Sequence, residues 1–375
     1  MPQVKPEFET SARLKVIGVG GSGQNAVDHM IRSKVRGVDF IAVNTDAQDL
    51  HHSLASKKLH IGRNITRGLG SGMNPDLGRQ AAEESQREVE ELLRGADLVF
   101  VTCGFGGGTG TGAAPIVAEV AKNQGSLTVA IVTRPFSFEG EMRKRIAEDG
   151  LVRLRKAVDA MIVIPNDRLM NVVERDTPML AAFAMCDEVL RQAVQGIADL
   201  IITPGIINVD FADVRTIMQN SGSAIIGIGT ASGKNRAQEA ARTAIHSPLL
   251  EVSAEGAKGV LFTTAGREDL SMWEVQEAAK IITESVDKDA KIIFGAVHDE
   301  RLKRGEIRVT VIASGFPDGF ARASSIFQGQ ESPLTTRPAS QNSPPGPTPP
   351  GESSTGKENE EEWEIPAFLR RSKKL

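Results

Sequence analysis

Two glycine-rich turns, each closing an apolar run of strand length, restrict what this chain can fold into more than any other feature. The first, Gly18-Val19-Gly20-Gly21-Ser22-Gly23, ends the run 14–19. The second lies in VTCGFGGGTGTGAAP, Val101 to Pro115, and sets five glycines in the seven residues from Gly106 to Gly112, behind the run 98–102. Glycine at that density costs conformational entropy on folding, so it is kept where bare backbone must meet something. Amide N–H groups in a tight loop, backed by the positive end of a helix dipole, hold an anion without any charged side chain. Strand, glycine loop and helix form the phosphate geometry of α/β proteins. Two such loops, at the ends of the first and third clear strands, suit a triphosphate better than a single pyrophosphate.

Apolar runs at 14–19, 40–43, 98–102, 127–132 and 161–164 alternate with helical patterns and predict a parallel sheet covered on both faces. Helices are expected over 25–32, with Ala26, Val27, Met30 and Ile31 on one stripe, and over 113–124, with Pro115 in the first turn. Asp176-Thr177-Pro178 reads as a capping signal for a long helix through Leu180, Phe183, Val189, Leu190 and Val194 toward Leu200. Strands follow at 224–229, 259–264, 291–297 and 307–314, with helices at 236–245 and 272–285. The expected fold class is therefore α/β: a Rossmann-like parallel-sheet domain, joined by a long central helix to a smaller α+β domain, with a disordered C-terminal tail. In numbers, 12–176 is the phosphate-binding domain, 177–202 the central helix and 203–316 the α+β domain. The stretch 317–361, rich in Pro, Ser, Gly and acid, is a disordered linker, and 362–375 a short apolar docking peptide.

Composition excludes several classes of function. A formal net charge of −4 with 25% charged residues gives no basic excess for a nucleic-acid surface. Cys103 and Cys186 stand apart without metal spacing and read as buried, reduced thiols, which fits a cytoplasmic protein. His51, His52 and His60 read as solvated surface residues. The opening MPQVKPEFET has no basic-then-apolar leader, and no uncharged apolar run approaches the roughly 18 residues of a spanning helix.

On residues alone, more than one chemistry is open. Gly18 to Gly23 also satisfies the dinucleotide turn, with Asp46 placed to bind a ribose, so a nicotinamide-dependent oxidoreductase is a rival, weakened by the lack of a hydride-transfer acid–base group. An ordinary P-loop is excluded by its missing lysine motif, leaving amides and a Mg2+ ion to neutralise the phosphates. Glu139 and Arg143, four apart, read from spacing alone as a surface ion pair. Phe183 and Asp187 repeat that spacing: a ring can stack on a purine, and a carboxylate takes two hydrogen bonds only from a base edge with two donors, as guanine has. Asp213, before VRTIMQN, reads as a helix N-cap.

GGGTGTG, from Gly106 to Gly112, resembles the signature of the tubulin and FtsZ superfamily. NVDFADV from Asn208, GLGSGMNPDLGRQAAEES from Gly68, TRPFSFEG from Thr133 and IPAFLRR from Ile365 are similar to its bacterial cell-division branch, the FtsZ family. The resemblance implies a self-assembling GTPase that polymerises head to tail into cytoskeletal filaments, in the cytoplasm at the midcell division ring, hydrolysing GTP between subunits. By the same resemblance, Gly20, Gly21, Ser22, Gly23, Gln24 and Asn25, with Gly107, Gly108, Thr109, Gly110 and Thr111, hold the phosphates of GTP or GDP; Ser71 and Gly72 sense the γ-phosphate. Asp46 is kept with the nucleotide set. Glu139 and Arg143 meet the ribose and its neighbours, and Asn166, Phe183 and Asp187 the base. The family commonly has glycine where Ser22 stands and a different residue at Gln24, a local departure because amides do the binding.

Asn208, Asp210 and Asp213 are implied as the catalytic set, reaching the pocket of the next subunit and polarising water there, with a monovalent cation as an accompanying expectation. No protein side chain is expected to ligate a metal, Mg2+ being held by phosphates and water. Trp363, Ile365, Pro366, Phe368, Leu369 and Arg370 are implied to dock on membrane-tethering division proteins such as FtsA, so that membrane contact is indirect. The remaining class, a filament protein that binds nucleotide without hydrolysing it, is opposed by the intact Asn208, Asp210 and Asp213.

Overall fold

The computed structural model describes residues 12–170, 176–203, 205–207, 209–246 and 256–316. Among these residues one ten-stranded sheet runs in the order β3-β2-β1-β4-β5-β6-β7-β10-β8-β9. The parallel part comprises β1 (Leu14–Val19), β2 (Val38–Asn44), β3 (Lys57–His60), β4 (Leu98–Gly104), β5 (Leu127–Arg134) and β6 (Ala160–Pro165). Then follow β7 (Gly222–Ser232), β8 (Gly259–Gly266), β9 (Lys291–His298) and β10 (Glu306–Ser314). β10 runs antiparallel between β7 and β8, and β9 lies parallel to β8 at the edge.

Each predicted strand falls inside an observed one. β1 is buried along its whole length, and β4 and β5 in all but their last residue, as unbroken apolar runs require when helices cover both faces of a sheet. β3 was not expected: Lys57-Lys58-Leu59-His60 offers one apolar residue, and its extended form is held by pairing with β2 at the sheet edge. The helix Thr109–Asn123 starts four residues earlier than its apolar pattern, so Pro115 lies in its interior rather than its first turn. The central helix is Met179–Ile202, with Pro178 at its N-cap and no capping side chain, so the expected cap from the Asp176 segment is not made.

One face of the sheet is covered by the helix Gly20–Arg32 and the central helix, whose Leu190, Val194 and Ile197 are buried together with Phe100, Ile131, Ile226, Leu261 and Ile312. That core crosses from the parallel strands to the antiparallel ones without a break. β6 and β7 continue the sheet across the same place, through the register Ala160↔Gly222 to Ile162↔Ala224. The other face packs Val101 and Ala130 against Val117 and Leu151 of the helices Thr109–Asn123 and Glu141–Ala157. A third cluster sets Phe262, Val309 and Val311 against Ala240, Ala241, Ala278 and Ile282. Expectations for 317–361 and 362–375, Trp363 to Arg370 included, lie outside the described residues, as does Asn208.

Two helices that flank the second glycine turn touch backbone to backbone. A Cβ on Gly112 would stand 2.0 Å from the carbonyl oxygen of Pro75, and one on Gly78 2.4 Å from that of Gly108. We expect Gly112→Ala to lower stability by about 1–3 kcal/mol through overpacking, more than the roughly 1 kcal/mol that alanine returns as helix propensity. Equilibrium denaturation reads this directly, and an unchanged midpoint would show that the contact yields freely.

Candidate nucleotide site

β1 and β4 are neighbours paired from Leu14↔Leu98 to Gly18↔Thr102, so both glycine turns leave the same sheet edge side by side. The helices Gly20–Arg32 and Thr109–Asn123 begin there. Neither has a capping side chain or an acidic residue in its first turn, so their leading amides have no side-chain acceptor. The turns interlock: Gly20 adopts φ +73°, and a Cβ there would stand 2.9 Å from Gly110 N. Gly18 and Gly23 are required by close packing, since side chains on them would lie 2.3 Å from Gly23 O and 2.4 Å from Thr102 O. Gly107 and Gly72, by contrast, have open space where a side chain would project. Two converging helix N-termini around open backbone make an anion cradle.

Hydroxyls and amides tie the cradle together. Thr109 Oγ1 lies 2.6 Å from Thr45 Oγ1 and 2.8 Å from Ser71 Oγ, joining the second glycine turn to the end of β2 and to the segment that holds Gly72. Gly106 N donates to Thr111 Oγ1 at 3.0 Å. Asp46 caps the short helix Ala47–His52, accepting from Gln48 N and Asp49 N at 2.9 and 3.0 Å. Gln24 is buried and turned inward: its Nε2 donates to Asp49 O at 2.9 Å, while Asn44 Nδ2 donates to Asp49 Oδ2 at 2.8 Å. Ser22 and Asn25 are exposed, and Gly21 faces Asp49. Sequence reading did not single out Asn44, Thr45 or Asp49 as supports. The available signal was a polar NTDAQD run directly behind a buried strand.

At the other end of the site, Phe136, Leu169 and Cys186 pack together, bringing the short helix Asn166–Leu169 against the start of the central helix. Phe183 meets Phe136 edge to face at 5.6 Å and remains 40% exposed. Phe138 stacks on Phe136 at 4.9 Å. Glu139 and Arg143 are paired with each other, and Glu139 Oε1 also accepts from Phe136 N at 2.9 Å. Two acceptors stand without donors. Asn166 is buried with its Oδ1 unpartnered, and no hydrogen bond reaches the Asp187 carboxylate among the described residues. Burial pushes the Asp187 carboxyl up to about 6, against the opposing pull of His29 and Arg32. An open ring face beside two orphan acceptors fits a flat base carrying N–H donors.

Asp210 and Asp213 are not brought to this pocket. They follow the central helix, whose 24 residues run about 36 Å from the Phe183 end. Asp210, rather than Asp213, is the N-cap of the helix Phe211–Met218, accepting from Asp213 N at 2.8 Å. The preceding segment is stitched to β9, where Ala296 O accepts from Ile206 N at 2.8 Å and Ile207 N at 3.2 Å. Among the described residues no group of three or more His, Cys, Asp or Glu side chains could hold a metal, and no helix is long and apolar enough to cross a membrane.

The chain matches the family model described as Tubulin/FtsZ family, GTPase domain, over residues 13–174, and the FtsZ family, C-terminal domain, over 222–317. It is similar to FtsZ from M. jannaschii, solved as an empty dimer, at 45% identity and TM-score 0.78 over 82% of this chain and 89% of that one. A mutant form of the same protein aligns at 45% identity and TM-score 0.78, over 82% and 92%. CetZ2 from Haloferax volcanii, solved as a GTPγS-bound protofilament, shares the fold at 22% identity and TM-score 0.71, over 84% and 97%. These matches set the nicotinamide-dependent reading aside. Two glycine cradles on adjacent parallel strands, both halves matched in order and 45% identity to an FtsZ lead to one assignment: the chain belongs to the Tubulin/FtsZ family of GTP hydrolases, in its FtsZ branch.

Proposed function

We propose that this GTPase assembles head to tail into filaments at the division site, and that the acidic loop of one subunit completes the nucleotide pocket of the next. The placement of Asp210 and Asp213 carries this reading: their helix Phe211–Met218 sits at the edge where the parallel strands begin, Arg215 Nη2 donating to Gly125 O at 3.2 Å just before β5, whereas the glycine turns leave the edge where β1 and β4 end. The dimer reported for the M. jannaschii relative supports self-association. A surface that differs at its two ends repeats into a filament when the contact does not close.

In this reading the amides of Gly20 to Asn25 and of Gly107 to Thr111 hold the phosphates, with Ser71 and Thr109 fixing the cradle's shape and Gly72 and Asp46 beside it. Phe183 stacks on the base while Asn166 and Asp187 accept its donors, and Glu139 and Arg143 reach the ribose side. Among the described residues no side-chain cluster is built to hold a metal, so a Mg2+ ion would be held by the bound phosphates and would supply charge neutralisation there, and the Asp210 and Asp213 carboxylates are the groups that would attract a monovalent cation. Asp210 and Asp213, with Asn208, orient and polarise the attacking water, which is placement and charge stabilisation rather than covalent chemistry. The terminal segment with Trp363, Ile365, Pro366, Phe368, Leu369 and Arg370 docks on tethering proteins such as FtsA, so the protein works in the cytoplasm at the midcell ring.

Asp213→Ala should bind GTP as the parent does and lose turnover by about 10²-fold or more, measured as phosphate release at matched protein concentration. Asp210→Asn is the companion variant, since asparagine keeps the cap while removing the charge. Specific GTPase activity should rise with protein concentration above a threshold that coincides with the onset of light scattering. Strict proportionality from the lowest dilution would falsify the shared pocket. Below that threshold, GTP affinity should weaken as pH falls through about 6, because protonation turns one of the two Asp187 acceptor oxygens into a donor and binding favours the ionised form. Equilibrium binding of a fluorescent GTP analogue across that range checks it.

A further inference from the structure

The chain that leads from the central helix to Asp210 and Asp213 is fastened to β9 by its backbone. Ala296 O accepts from Ile206 N at 2.8 Å and Ile207 N at 3.2 Å, and Ala296 N donates to Ile207 O at 3.2 Å. The fit is close: a Cβ on Gly205 would stand 2.5 Å from Ala296 O, and one on Gly295 3.1 Å from a methyl of Val209. The acidic loop therefore starts where the end of β9 puts it.

A second tie to the same strand is made by side chains. Asp299, one residue beyond β9, is buried, and its N donates to Gly266 O at 2.8 Å. Arg301 grips this carboxylate as a fork, Nε to Oδ1 at 2.7 Å and Nη2 to Oδ2 at 3.0 Å, while Arg301 N donates to Oδ1 at 3.0 Å. The same Nη2 reaches Asp199 Oδ2 at 2.7 Å, in the last turn of the central helix. A guanidinium carries its donors in one rigid plane, so gripping one carboxylate aims it at the other. Asp199 is held from its own helix as well, by Gln195 Nε2 at 3.1 Å. Packing does not make this join, because Gln195, Asp199, Asp299, Arg301 and Arg308 line a cavity of about 440 Å3 shared by the helix and the strands. Asp199, the chain through Ile207, Ala296, Asp299 and Arg301 thus form a closed circuit at the root of the acidic loop.

We propose that Arg301 is a positioning residue for hydrolysis: by joining Asp199 to Asp299 it sets the stance of the acidic loop that the next subunit's pocket receives. The proposal rests on the reading of Asp210 and Asp213 as groups that act across the subunit contact. The Arg301 side chain is 53% exposed, and an ion pair that water reaches contributes little to stability. What the bridge supplies is a fixed distance between the two elements from which the loop hangs. A shift of about 1 Å transmitted from outside the reacting groups can cost on the order of 10²-fold in rate.

The test uses the full chain at saturating GTP above its assembly threshold and measures phosphate release per subunit sedimented with the filaments. GTP affinity below the threshold and the thermal midpoint are read alongside. Arg301→Gln and Asp199→Ala should each lower release about five- to tenfold and leave affinity and midpoint as in the parent. Asp199→Ala takes an acid out of the last turn of a helix, which the dipole alone favours, so a fall there is not a loss of helix, and this variant decides the matter if Arg301→Gln does not fold. Because both cut one contact, the double variant should fall no further than either single. Asp213→Ala separates the two layers. If it loses turnover while Arg301→Gln and Asp199→Ala keep it, the positioning role is wrong and the shared-pocket reading stands. If Asp213→Ala turns over GTP as the parent does, that reading fails and takes the proposal with it. Falls that add in the double variant, a lowered GTP affinity or a loss of assembly mark a structural role and also overturn it.

Discussion

The pairing of β1 with β4 is the constraint on which the rest depends. Because these strands are parallel neighbours in register, the turns that follow them open at one edge, and two helices start with their uncapped amides toward the same space. Each helix terminus carries about half a unit positive charge, so two converging on one space double the favourable field for an anion. The glycines that hold the turns together do so at backbone distance, and the hydroxyl chain from Thr45 through Thr109 to Ser71 fixes a third segment against them. An anion site made this way is rigid because its walls are main chain packed against main chain.

The second organising element is the central helix. Its apolar face is shared by the parallel strands on one side and the antiparallel ones on the other, so it is core to both rather than a spacer between them. Its polar face carries a chain of polar groups, from Glu188, which His29 of the helix Gly20–Arg32 meets, through Arg191 and Gln195 to Asp199, where Arg301 closes onto Asp199 and Asp299. One helix therefore places the Asp187 carboxylate, which no hydrogen bond reaches among the described residues, near its beginning and leads to the acidic loop of Asp210 and Asp213 beyond its end.

Much of this was legible before any coordinates. Continuous apolar runs of strand length such as 98–102 and 127–132, set between turn residues, read as strands buried on both faces, and they are. What escaped had physical reasons. β3 is extended because β2 pairs with it, and Lys57 and Lys58 carry no hint of that. Glycines that look alike in GGGTGTG divide in the structure: Gly107 faces open space, whereas Gly108 and Gly112 exist so that a helix can cross closely. The start of that helix was misplaced for the same reason, since threonine and glycine are weak helix formers and tertiary packing decides. Gln24 reads as a loop residue but is a buried strut to Asp49, a contact between segments 25 residues apart that no local pattern encodes. At Asp210 and Asp213 the sequence points to a cap, and only geometry says which acid provides it.

That division of labour at the acidic loop makes its two aspartates unequal. Asp210 has committed an oxygen to the start of a helix, which pins its orientation to the backbone, while Asp213 presents a carboxylate with no protein donor among the described residues. In the proposed filament, a subunit arriving at this end would meet one acid tied to the backbone and one that can still turn. The tied acid would offer a fixed reference for the approach, and the free one would be able to adapt to what it meets.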